Sequence, residues 1–91
     1  MILHNDTSET VKVCIYKASD HLMSFPCTGG LIWMAKNSKV DWVPDPKESC
    51  QQFNVRFFRP DSFDELLGGI DKVPRNGCPH IVRTKEGYEV V

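Results

Sequence analysis

Alanine is nearly missing from this chain: Ala18 and Ala35 are the only two among 91 residues, against eighteen valines, isoleucines and threonines. β-branched side chains lose rotamer freedom on a helix and pack well on a pleated surface, so the ratio disfavours a helical bundle and favours strands. Long hydrophobic runs are missing too. The longest unbroken one, Leu31 to Ala35, spans five residues, whereas a membrane helix needs about 20, so no integral membrane segment is expected. An excess of either charge is lacking, since eleven basic side chains meet twelve acidic ones for a net −1. That removes the electrostatic footprint of a nucleic-acid partner.

The N-terminus has neither a basic start nor an apolar core, so it does not read as a signal peptide. Also absent are C-x-x-C pairs, a P-loop, and the G-x-G-x-x-G, G-x-S-x-G and H-E-x-x-H patterns. These absences argue against an enzyme and imply no cofactor.

What is present is a small globular composition, 41% apolar and 25% charged, in a length that fits one β-rich domain over residues 1–91. Val11, Val13 and Ile15 alternate with Lys12, Cys14 and Tyr16, the period-2 signature of a half-buried strand. Phe53, Val55 and Phe57 alternate with Asn54, Arg56 and Phe58 in the same way. Residues 1–4 can add a short strand before the first. Leu31 to Ala35 and Lys39 to Val43 flank the turn-prone Lys36-Asn37-Ser38 and predict a hairpin. His80 to Thr84 and Tyr88 to Val91 flank Lys85-Glu86-Gly87 and predict another.

One segment breaks the β pattern. Ser62 and Glu65 have capping-box spacing, and Phe63, Leu66, Leu67 and Ile70 fall on one helical stripe, so a short helix is expected over about residues 62–68. The fold class expected is mainly β: a small antiparallel β-sandwich or partly open barrel of about seven strands with that one helix.

Cys14, Cys27, Cys50 and Cys78 permit two disulfides in three connectivities. Cys14, on a strand, reads as a buried small hydrophobe, and the expectation is a cytoplasmic protein with free thiols, a secreted one being the alternative. Asn5-Asp6-Thr7 matches the glycosylation acceptor pattern, which matters only for a secreted chain.

Two groups of residues are candidates for function. Cys78 and His80 flank Pro79 after the turn-prone Asn76-Gly77, and a thiolate and imidazole there suit a metal or thiol site completed by His21, His4 or another cysteine. The arrangement resembles the blue-copper electron carriers only in outline: their pattern places a methionine shortly after the cysteine and histidine, and the last methionine here is Met34. Arg56 and Arg59 around Phe57-Phe58 read as strand core rather than as a base-stacking platform. The preferred reading is a non-enzymatic module that binds a protein partner or forms a homodimer through an apolar loop and a sheet edge. Its contact residues are His21, Leu22, Met23, Phe25, Trp33 and Trp42; a metal or redox site of Cys78, His80 and His21 is the alternative.

Overall fold

Strand β2 (Val11–Lys17) shows why the chain layers. Val11, Val13 and Ile15 are fully buried, as the alternation requires, and all three belong to one hydrophobic core. Strand β5 (Gln52–Phe58) sends Phe53, Val55 and Phe57 into the same core, in antiparallel register with β2. Burying an aromatic or branched side chain of this size contributes about 1.5–3 kcal/mol, so these two strands anchor the fold.

The structure, a computed structural model, describes residues 1–19, 27, 29–62 and 65–91. These residues are all β, in two four-stranded sheets. In one, β3 (Gly30–Met34) and β6 (Leu66–Pro74) flank the β2–β5 pair in the order β3-β2-β5-β6. In the other, β1 (Ile2–Asp6), β4 (Ser38–Asp41), β7 (His80–Thr84) and β8 (Gly87–Val90) run in the order β4-β1-β7-β8. Leu3, Ile81 and Trp42 meet Val13, Phe53 and Phe57 in the core between them. The last hairpin forms as expected, closed at Gly87, whose φ of 137° a side chain would resist.

Four expectations are corrected. The helix over residues 62–68 does not exist among the described residues; Phe63 and Asp64 lie outside them, and strand β6 starts at Leu66. The capping box never closes, because the Glu65 carboxylate reaches Arg59 at 2.5 Å and the Ser62 N–H donates to the Arg59 carbonyl. Gly68 is also where the two sheets touch: a Cβ there would lie 2.9 Å from Val90 Cγ2.

The hairpin of residues 31–35 and 39–43 is an arch instead. β3 pairs with β2 while β4 pairs with β1 in the opposite sheet. Asn37 does take the left-handed conformation its turn chemistry allows (φ 51°), yet its N–H donates to Thr7, so the turn carries the chain across the sandwich.

The sheets are not purely antiparallel, and the strands number eight among the described residues rather than about seven. β1 runs parallel to β7, with His4, Asn5 and Asp6 opposite His80, Ile81 and Val82.

Cys14 is fully buried as expected, but it is not free. It forms a disulfide with Cys27, and the two pack with Phe58 on the outer side of the β2–β5 pair. Cys50 and Cys78 are free.

Candidate functional site

Of the contact residues nominated from the sequence, the two described ones, Trp33 and Trp42, take different surroundings. His21, Leu22, Met23 and Phe25 lie outside the described residues. Trp42 is 8% exposed, stacks edge-on against Phe53 and donates its indole N–H to the Gly29 carbonyl at 2.8 Å. A cavity of about 210 Å³ opens beside it, lined by Lys17, Asp45, Glu48 and Phe53 among others. Trp33 is 56% exposed. The difference is one of parity: on β3 Met34 points to the core, so Leu31 and Trp33 point outward.

Edge strand β3 therefore carries an apolar outer face. Leu31 is 41% exposed beside Trp33, and Lys12 on β2 sets its ammonium 5.7 Å from the Trp33 ring centre. Among the described residues β3 has β2 alone as a strand neighbour. Its five residues, Gly30-Leu31-Ile32-Trp33-Met34, include no charge and no proline. The other three edges are defended: β4 carries Lys39 and Asp41, β8 carries Glu89, and β6 carries Asp71, Lys72, Pro74 and two register shifts. Charges, proline and bulges are the usual means of blocking strand addition, and β3 has none of them.

A second cluster lies on the outer face of the other sheet. Leu3 and Asn5 on β1 and Ile81 on β7 point inward and are fully buried, which turns His4, Asp6 and His80 outward. His4 and His80 are directly paired across the parallel strands, and their rings stack at 3.9 Å with planes 8° apart. Asp6 meets His80, Oδ2 to Nδ1, at 2.7 Å. The sequence points to His80, with His4 as a companion, but carries no signal for Asp6. Cys78 is exposed, and the group that converges is His4, Asp6 and His80.

No family model, curated protein or solved structure matches this chain. Its geometry alone carries the functional reading.

Other candidate features are occupied by structure. Phe57 and Phe58 are 0% and 1% exposed, so the rings between Arg56 and Arg59 face protein. Arg56 is bonded to Asp71 at 2.6 Å. Arg59 meets Glu65 and lies 3.8 Å from Glu9, which accepts the Tyr88 hydroxyl. Tyr88, opposed by burial and joined by Glu65 and Glu9, pushes the Arg59 guanidinium above its ordinary value, so its charge persists. Asn5 of the acceptor pattern is fully buried, its amide nitrogen donating to the carbonyls of Glu9, Met34 and Ala35. A glycan on that nitrogen is incompatible with this packing. No helix among the described residues is long and apolar enough to cross a membrane.

Proposed function

We propose that this protein is a non-enzymatic interaction module that self-associates by antiparallel strand addition at the edge of β3. The observation that carries the reading is that, among the described residues, β3 is the one sheet edge with no charge, proline or bulge, while it exposes Leu31 and Trp33.

A second copy is the occupant that fits. Antiparallel pairing centred on Ile32 places Leu31 of one copy opposite Trp33 of the other, twice, through a two-fold axis. Aromatic–aliphatic cross-strand pairs stabilise a sheet by roughly 0.2–1 kcal/mol each, beyond the backbone bonds they accompany. A net charge of −1 gives two copies little reason to repel. Trp42 takes no part, since it is buried and its N–H is satisfied.

The buried Cys14–Cys27 bond suits an oxidising compartment, which favours the secreted alternative over the cytoplasm.

Light scattering across a concentration series tests the proposal. The wild type is expected to run as a concentration-dependent dimer, and the Leu31→Lys, Trp33→Lys double variant as a monomer with an unchanged circular-dichroism spectrum. A wild type that stays monomeric at high concentration contradicts it.

A further inference from the structure

Independently of the β3 edge, we propose that His4, Asp6 and His80 form a binding site for one divalent transition cation of the zinc class. One donor atom from each of the three residues lies within 4.8 Å of the others. Their placement is built into the sheet. His4 and Asp6 are two apart on β1 and so share its outer face, and His80 is the residue paired with His4 on β7. The backbone ladder thus holds the three side chains as a tripod before any ion arrives.

The donor set selects the cation. Two imidazoles and one carboxylate suit zinc and its borderline neighbours, whereas calcium and magnesium take six or more oxygens. Around a tetrahedral ion with bonds of about 2.1 Å, donor atoms stand about 3.4 Å apart, so atoms lying within 4.8 Å need close by at most about 1.4 Å. Imidazole χ2 torsions are broad, and turning the two stacked rings aims their lone pairs at a common point. The Asp6 carboxylate, now bonded to His80 Nδ1, is already next to that point. Three protein ligands on a half-exposed face leave the remaining positions to water. Lys39 is paired with His4 from the other side, and its long stem can carry the ammonium away into solvent.

Such a site joins strands 74 residues apart in sequence, β1 and β7, so the cation also acts as a staple across the parallel pair. A ligand that binds only the folded chain raises its unfolding temperature.

The test uses the full chain without a histidine tag, titrated with Zn²⁺ alone by calorimetry and with Co²⁺ by absorption. One equivalent is expected to bind. A ~100-fold excess over the dissociation constant is expected to raise Tm by roughly 10–20 °C. His4→Ala, Asp6→Asn and His80→Ala are each expected to weaken binding at least about tenfold. Cys78→Ser is expected to change nothing, and the cobalt spectrum to lack a thiolate charge-transfer band. Should an alanine variant fail to fold, wild-type NMR decides: Zn²⁺ must move the His4 and His80 ring resonances. Absence of stoichiometric binding, binding that survives His4→Ala and His80→Ala, a thiolate band, or unmoved ring resonances each overturns the proposal.

Discussion

The Asn5 side-chain amide donates to the carbonyl of Ala35 at 3.0 Å, tying strand β1 to the arch thirty residues later in the chain. The same nitrogen reaches Glu9 and Met34, while Asn5 Oδ1 accepts from the backbone N–H and the hydroxyl of Thr7. Every capacity of this fully buried amide is used, which explains why a polar side chain sits where the sheets cross.

Asn5→Asp is therefore expected to destabilise more than Asn5→Ala. Aspartate loses all three donated bonds and sets an acceptor against three carbonyls. Alanine leaves partners unsatisfied, at about 1–3 kcal/mol for each uncompensated group. Urea unfolding of both variants checks the order. From a secretory host, intact mass of the folded fraction is expected to show no glycan at Asn5.

The disulfide gives a second expectation. Cys14 and Cys27 are 13 apart in sequence, and closing a loop of that size in the unfolded chain stabilises by roughly 3 kcal/mol in the chain-entropy account. Cys14→Ala with Cys27→Ala is expected to lose about 2–4 kcal/mol. Titration of the unreduced, denatured chain is expected to find two thiols, Cys50 and Cys78, and four thiols contradict the pairing.

A third concerns Lys72, which holds a left-handed conformation (φ 56°) in a bulge of β6. Its N–H donates to Asn54 Oδ1 at 2.9 Å, so the conformation is fixed by its partner while the Cβ is strained. Lys72→Gly is expected to be neutral or stabilising by up to about 1 kcal/mol, and Lys72→Val destabilising by more than that. Thermal unfolding of the pair checks the sign.

The same bulge shows where the sequence was legible and where it was not. On β2 and β5 the odd-numbered apolar side chains all join the main core, so their core faces could be read directly. Lys12, Cys14, Tyr16 and Phe58 on the other face are buried too rather than left half-exposed. β6 has two register shifts within nine residues. They space its core-packed Leu67, Ile70 and Val73 three apart instead of two, which imitates a helical stripe. Turn chemistry at Asn37 likewise serves a hairpin or an arch, and only the partner of β4 decides between them. The His4–Asp6–His80 group depends on a parallel pairing between the two ends of the chain, a contact no local pattern encodes. His80 and His4 could be nominated by residue type; Asp6 could not, because an exposed aspartate has no distinguishing signal until its neighbour is known.

Amide hydrogen exchange along β3, measured across a range of protein concentrations, tests the interaction reading most directly. Slower exchange at Ile32, whose amide shares the outward parity of Gly30, as concentration rises, with β4 and β8 unchanged, is the expected result. Exchange on β3 that is indifferent to concentration contradicts a self-pairing edge.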